Sequence, residues 1–173
     1  MTRKANKVLF SIGHSNHPIE KFLSLLRASS IDVLVDVRSY PYSRFNPQFN
    51  TKALKEELNK TGIKYLFLGR ELGGRPKDES FYDEDGYVIY YTLAQSPLFI
   101  EGLNRLEKGI SNYRVTMMCS EENPNQCHRR LLITPELEKR NIKVIHIRRN
   151  GEFEAEDDLR ESEEQPGLFE TSA

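Results

Sequence analysis

Sulfur-containing residues are scarce in this sequence and tryptophan is absent: the 173 residues include two cysteines and three methionines. Two cysteines, Cys119 and Cys127, cannot build a disulfide framework, which excludes the small disulfide-stapled domains of the secreted class. In a reducing compartment, a pair of thiols is more often free, catalytic or bound to a metal. The two cysteines are therefore candidates for function.

Long apolar runs are missing as well. No stretch approaches the roughly 18 apolar residues that a membrane-spanning helix needs, and the polar start Met1–Lys7 is not followed by the core of a signal peptide. A hydrophobic content of 38% still suffices for a core, and the length fits one domain. We expect a single-domain cytoplasmic protein.

The net charge of −1 hides an uneven distribution. Residues 150–173 hold nine acidic residues and one basic residue, which leaves 24 basic and 17 acidic residues in 1–149, a net charge of +7. A basic body suits a polyanionic partner such as DNA, whereas an ordinary solvated surface with a solubilising tail is the alternative. Because residues 150–173 are acidic and lack periodicity, they are predicted to be a mostly disordered tail behind a domain of residues 1–149.

Hydrophobic periodicity predicts an α/β fold. Apolar, β-branched runs indicate strands at 8–12, 31–37, 63–68, 113–119 and 143–147. Helical patterns lie between them at 18–30, 51–60, 87–95, 97–110 and 126–140. This alternation predicts a single domain with an open, mostly parallel five-stranded sheet flanked by helices. Two long loops, 39–50 and 69–86, are of the length that tends to carry function.

Reactive side chains follow the predicted strands, and ligands bind at the carboxyl ends of strands in open parallel sheets. One cleft is therefore expected to combine proton-transfer groups and a thiol with guanidinium groups suited to phosphate. The candidate catalytic residues are His14, Asp36, Cys119, Glu121 and His128. The candidate phosphate-binding or substrate-binding residues are Ser15, Arg38, Ser39, Tyr42, Arg44, Arg70, Arg75 and Arg129.

Cys119 has two interpretations as a functional residue. Between a strand end and a helix start, with His128 and Arg129 nearby, its pKa would be lowered and it would act as a nucleophile. Zinc bound by Cys119, Cys127, His128 and His14 is the competing interpretation, but seven residues separate the cysteines, and adjacent residues point in different directions on a helix. No cofactor is therefore predicted, with zinc as the alternative.

The order of these motifs resembles a known family. Gly13-His14-Ser15, then Asp36-Val37-Arg38-Ser39 with Pro41, Ser43 and Arg44, then Cys119-Ser120-Glu121 and Cys127-His128-Arg129 closely resemble the prokaryotic domain of unknown function 488 family. The likeness covers residues 8–149 and implies a single α/β domain without a settled activity. A more distant resemblance to rhodanese-like and Cys-based phosphatase domains implies a rhodanese-like outline. The loop after Cys119 departs from those domains, because it holds Glu121 and Glu122 and no arginine or glycine that would cradle an anion.

The acidic tail carries a separate signal. Gln165-Pro166-Gly167-Leu168-Phe169 is similar to the Q-x-x-L-F peptides by which bacterial DNA repair and replication enzymes dock on the sliding clamp. It matches at Gln165, Leu168 and Phe169 and departs at Pro166. A flexible acidic tether with an apolar hook is suited to binding a groove on another protein.

Three functions from different classes follow. The leading hypothesis is a DNA-processing enzyme, of the repair or base-modification kind, whose basic body binds phosphates, whose loop aromatics stack on a base and whose tail docks on the sliding clamp. The first alternative is a rhodanese-like or thiol-dependent enzyme that uses Cys119 on a small molecule. The second is a module that binds nucleic acid or the clamp without turnover.

Overall fold

A six-stranded sheet forms the centre of the computed structural model, which describes residues 7–164. Its strands are β1 (Lys7–Gly13), β2 (Val33–Asp36), β3 (Lys64–Phe67), β4 (Val115–Cys119), β5 (Ile142–Ile147) and β6 (Phe153–Ala155). They lie in the order β3-β2-β4-β1-β5-β6, and all neighbours are parallel except the antiparallel pair β5 and β6. The predicted open, mostly parallel α/β fold is confirmed, with one strand more than expected.

Helices cover both faces of this sheet. They are α1 (Ile19–Ala28), α2 (Thr51–Thr61), α3 (Gly69–Leu72), α4 (Tyr90–Ala94), α5 (Pro97–Ile110), α6 (Thr134–Glu138) and α7 (Glu156–Glu164). Side chains of α1 and α2, such as Phe22 and Leu58, join one buried cluster. Side chains of α5 and α6, such as Leu103 and Leu137, join a second cluster on the other face. Because β1, β2 and β4 are covered on both faces, their sequences are nearly continuous apolar runs.

The helix predicted over 126–140 begins after Cys127 and changes type along its length. A π-helical turn at Arg129–Ile133 runs directly into α6, and a separate 3-10 turn at Pro124–Gln126 precedes them. Pro135 in the first turn of α6 has no N–H for the preceding turn, which favours this change of helical type. The predicted 69–86 loop likewise contains a short helix, α3.

The prediction of disorder from residue 150 is wrong for Phe153–Glu164, which form β6 and α7. The acidic composition did not reveal that the carboxylates have partners in the basic body. The carboxylate of Glu156 accepts hydrogen bonds from Arg130 (2.8 Å) and pairs with His146 (3.1 Å), and Leu159 packs in the interior. The domain therefore continues past residue 149, whereas Gln165, Leu168 and Phe169 of the clamp-like motif lie outside the described residues.

The membrane prediction can be compared with the helices directly. Among the helices within residues 7–164, none has the length and apolar character needed to cross a bilayer.

Candidate active site

A polar pocket of about 390 Å³ lies at the carboxyl ends of β2 and β4. Both strands end there in parallel, so the loops that follow them meet at one edge of the sheet. The pocket is lined by Arg38, Ser39, Tyr40, Tyr42, Ser43, Gly74, Arg75, Tyr90, Cys119, Ser120, Glu121, Gln126 and His128. The prediction that several post-strand loops converge is confirmed for the loops after β2, β3 and β4.

Three of the predicted catalytic residues meet on the wall of this pocket. The Cys119 thiol donates a hydrogen bond to Oε2 of Glu121 at 3.2 Å, and its sulfur lies 3.6 Å from Nδ1 of His128. Cys119 is the last residue of β4, and Glu121 projects from the exposed turn that follows. The thiol of Cys119 thus lies within hydrogen-bonding range of both a carboxylate and an imidazole.

The imidazole of His128 is held in one tautomer. Its Nε2 lies 3.0 Å from the backbone oxygen of Val37, which can only accept a hydrogen bond. Nε2 therefore carries a proton, and in the neutral ring Nδ1 presents its lone pair to the sulfur atoms of Cys119 and Cys127. Gly74 permits this position, because a Cβ there would lie 2.8 Å from Cβ of His128.

The positive charge in the site is directed at Cys127 and not at Cys119. Nε of Arg129 donates to the sulfur of Cys127 at 3.2 Å, and the Arg129 backbone N–H approaches the same sulfur at 3.5 Å. A hydrogen bond with Cys127, together with burial, raises the pKa of Cys119 well above its usual value. The same hydrogen bond, together with the Arg129 guanidinium, lowers the pKa of Cys127. The expectation of a lowered pKa at Cys119 is therefore corrected: the favoured thiolate is Cys127.

Arg129 was predicted to bind phosphate, but its side chain is buried and hydrogen-bonded to other parts of the protein. Its Nη1 donates to Oγ of Ser11 at 2.6 Å and its Nη2 donates to the backbone oxygen of Glu121, so the guanidinium ties the loop after β4 to β1. Only 1% of the residue is exposed. No part of it reaches the pocket surface.

A buried polar layer lies behind the pocket. Arg38 and Asp36 form an ion pair, and Nη1 of Arg38 lies 3.2 Å from Nε2 of His14. Nδ1 of His14 lies 2.8 Å from the backbone oxygen of Ser15, which again requires a proton on that nitrogen. His14 and Asp36 were predicted to be catalytic, yet both are almost completely buried and neither lines the pocket. Their contacts place them as supports for the loops around it.

Exposed aromatic and basic side chains lie on the segments that line the pocket. Tyr40, Tyr42 and Phe45 are 60%, 73% and 78% exposed on the loop after β2, and Arg44 stacks on the Phe45 ring at 4.8 Å. Arg75 lines the pocket itself, whereas Arg70 lines an adjoining cavity that shares Ser39, Tyr40 and Arg75 with it. Ser39 accepts a hydrogen bond from the Arg75 backbone at 2.9 Å and so joins the two loops.

Sequence reasoning missed several residues of the pocket. Tyr90 contributes from α4, a segment whose helical pattern indicated structure but no chemistry. Ser43 and Ser120 also line it; both belong to the quoted motifs but were not assigned to the site, whereas Gly74 and Gln126 carry no such signal. Gly13 has a structural reason, because a Cβ there would lie 1.8 Å from the backbone oxygen of Glu121. Ser15, in a left-handed conformation, donates its N–H to the Ser120 oxygen at 2.8 Å.

One group of side chains could hold a metal ion. The ligand atoms of Cys119, Cys127 and His128 all lie within 4.8 Å of one another. The sequence argument against such a group assumed a helix at Cys127 and His128. Cys127 is in fact extended (φ −127°, ψ 141°) and precedes the helical turn, so the helix on which that argument rested does not include Cys127.

The fold and the site together define an α/β domain with a thiol, imidazole and carboxylate pocket at the carboxyl ends of its parallel strands. The family model described as Domain of unknown function DUF488 matches residues 18–134, more than half of the chain, and the protein belongs to this family. No curated protein and no solved structure matches the chain. The rhodanese-like resemblance therefore stays a prediction.

Proposed function

We propose that the protein is an enzyme that processes nucleic acid, with its reaction centre at Cys119, Glu121 and His128. The observation that carries the proposal is the position of these groups in a polar pocket lined by segments that carry exposed aromatic and arginine side chains. Enzymes that act on a base need reactive groups in a recess, a stacking surface beside it and cations for the backbone.

The stacking surface is built on an ordered loop. Ser43 donates its N–H to Oδ1 of Asn50 at 2.6 Å, and Oγ of Ser43 accepts the backbone N–H groups of Phe45 and Asn46. These bonds fix the loop, so the exposure of Tyr42 and Phe45 is a feature of its folded shape. Large apolar side chains held in water beside a pocket are typical of binding surfaces, and aromatic faces stack on any base.

We assign phosphate binding to three exposed arginines in the segments that follow β2 and β3, one of them in α3. Arg44, Arg70 and Arg75 all project into solvent. Within residues 7–164, none of the three lies in a salt bridge, whereas Arg38, Arg105, Arg130, Arg140, Arg148 and Arg160 do. Guanidinium groups without carboxylate partners are available for bidentate contacts to phosphate oxygens.

Binding of a fluorescently labelled single-stranded oligonucleotide at increasing salt concentrations tests this assignment. We expect the affinity to fall as salt rises, and Arg44→Ala and Arg75→Ala each to weaken binding and to reduce the salt slope by about 1. Arg27→Ala is the matched control, because Arg27 is exposed in the last turn of α1, at the opposite end of the sheet. Salt-independent binding, or equal losses in all three variants, would refute the proposed interface.

The contact between Cys119 and His128 favours a second candidate, a thiol-dependent enzyme that acts on a small molecule. Nδ1 of His128 is positioned to take the Cys119 proton, as the base of a thiol–imidazole pair does. Because the pKa of Cys119 is raised, this candidate requires His128 to take its proton, and it predicts that iodoacetamide alkylates Cys119 in the wild type and much more slowly in His128→Gln. Equal alkylation rates in the two proteins would exclude it.

A further inference from the structure

We propose that Cys119, Cys127 and His128 bind one Zn²⁺ ion through their two sulfur atoms and Nδ1, with the fourth coordination position open to the pocket. The zinc site itself rests on geometry alone. Only the role given below to a bound water rests on the proposed function.

The distances between the ligand atoms fit tetrahedral zinc. With Zn–S near 2.3 Å and Zn–N near 2.0–2.1 Å, tetrahedral angles place sulfur and nitrogen about 3.6 Å apart. Nδ1 of His128 lies 3.6 Å from the sulfur of Cys119 and 3.8 Å from that of Cys127. Nδ1 has one lone pair and can accept only one proton, so a thiol hydrogen bond explains one of these contacts and a shared metal explains both.

The surroundings of the three ligands match those of metal sites. Histidine ligands usually donate their second ring nitrogen to a carbonyl or carboxylate, and Nε2 of His128 donates to the backbone oxygen of Val37 at 3.0 Å. The sulfur of Cys127 receives N–H groups from Arg129. Cys119 stands at the end of a sheet strand and Cys127 is almost fully buried, so both ligands are held by the fold.

The fourth position faces the reaction centre. Cys119, Glu121 and His128 line the pocket, while Cys127 lies behind it. Glu121 lies 3.2 Å from the Cys119 sulfur but is outside the group whose ligand atoms are mutually within 4.8 Å. Three protein ligands and an open position are the pattern of catalytic zinc, in contrast to the four protein ligands of structural zinc.

In the proposed nucleic-acid reaction, a water molecule bound at the fourth coordination position of the zinc gives one proton to the Glu121 carboxylate. Its oxygen forms a bond to the electrophilic atom of the nucleotide, the bond to the leaving group breaks, and the leaving group takes the proton from Glu121. Water is the only co-reactant.

Metal analysis and Co²⁺ substitution of the whole purified protein test the site. We expect one zinc per chain and, after exchange, the thiolate-to-Co²⁺ charge-transfer absorption and the intense visible bands of a tetrahedral centre. Cys127→Ser and His128→Gln should lower the affinity for the metal by at least about tenfold. Glu121→Gln should retain the metal, and His17→Gln is a matched control, because His17 is a buried histidine outside the site.

The Co²⁺ spectrum of the wild type keeps the test valid if a ligand variant fails to fold. A wild-type protein without stoichiometric zinc, whose two cysteines react with a thiol reagent as free thiols, would overturn the metal site. That result would leave the oligonucleotide test of the proposed function intact. Conversely, full zinc occupancy without nucleic-acid binding would overturn the proposed substrate and leave the site standing.

Discussion

Arg38 and Asp36 form a two-pronged ion pair at the carboxyl end of β2. Nε of Arg38 donates to Oδ1 at 2.9 Å and Nη2 donates to Oδ2 at 2.7 Å, and both residues are almost completely buried. Nη2 also donates to the backbone oxygen of Phe49, and Tyr65 donates its hydroxyl to Oδ2. The pair therefore connects the loop after β2, which carries Tyr42 and Phe45, to the sheet. In this way it positions the side chains that line the pocket.

Breaking this pair should destabilise the protein strongly. Asp36→Asn leaves the Arg38 guanidinium buried without its counter-charge, and we expect a loss of about 3–5 kcal/mol in the free energy of unfolding in urea. Tyr65→Phe, which removes a single hydrogen bond to the same carboxylate, should cost about 1 kcal/mol. Equal losses in the two variants would contradict the assigned role.

His14 should make the stability depend on pH. Burial, assisted by the charge on Arg38, lowers the pKa of His14 from 6.5 to about 4. Between about pH 4 and pH 6.5, the imidazole of His14 is thus protonated in the unfolded chain and neutral in the folded chain. The stabilisation is complete above pH 6.5 and is lost as the pH falls towards 4, by up to about 3 kcal/mol. In His14→Asn, unfolding measurements across this range should show a smaller decline than in the wild type, and identical pH profiles would refute the prediction.

The segment after residue 149 should contribute to stability through Glu156. Glu156 pairs with Arg130 and His146 in the interior, so Glu156→Gln should lower the free energy of unfolding by about 2–4 kcal/mol. Glu163→Gln is the control, because Glu163 pairs with the same Arg130 but is about half exposed, so that water screens the pair and the loss should be much smaller. Chemical denaturation of the three proteins decides the matter. A Glu156 variant as stable as the control would mean that this segment only rests on the surface.

The clamp-like motif stays a prediction that binding measurements can test. If Gln165, Leu168 and Phe169 dock in the apolar groove of a bacterial sliding clamp, Phe169→Ala in the full chain should weaken binding by about 2 kcal/mol. Thr171→Ala changes the same segment outside the motif and should bind like the wild type. Absence of clamp binding by the wild type would dismiss the motif as incidental.

The sequence predicted the fold well because a buried parallel sheet has strong local signals. Continuous apolar runs located β1, β2 and β4, and the amphipathic pattern over 97–110 matched α5 residue for residue. The signals failed where long-range contacts decide the structure. Composition alone predicted disorder for Phe153–Glu164, because it does not show that the carboxylates of this segment pair with Arg130, His146 and Arg148 in other parts of the fold.

The candidate site was predictable only in part. Residue type and position after a strand identified Cys119, Glu121 and His128, which do meet. The same reasoning could not separate pocket residues from buried supports, so it assigned phosphate binding to Arg129 and catalysis to Asp36. Whether an arginine faces substrate or a buried partner depends on tertiary packing. The position of a residue after a strand gives no information about that packing.

Mass spectrometry of defined oligonucleotides shows whether the pocket performs chemistry on nucleic acid, as we propose. Single-stranded and duplex substrates, with normal and damaged bases, are incubated with the wild type and with Glu121→Gln. We expect a mass change with the wild type, and for Glu121→Gln retained binding with the rate reduced at least about a hundredfold. Unchanged masses with bound wild-type protein across the whole set would refute the proposed enzyme and favour a module that binds without turnover.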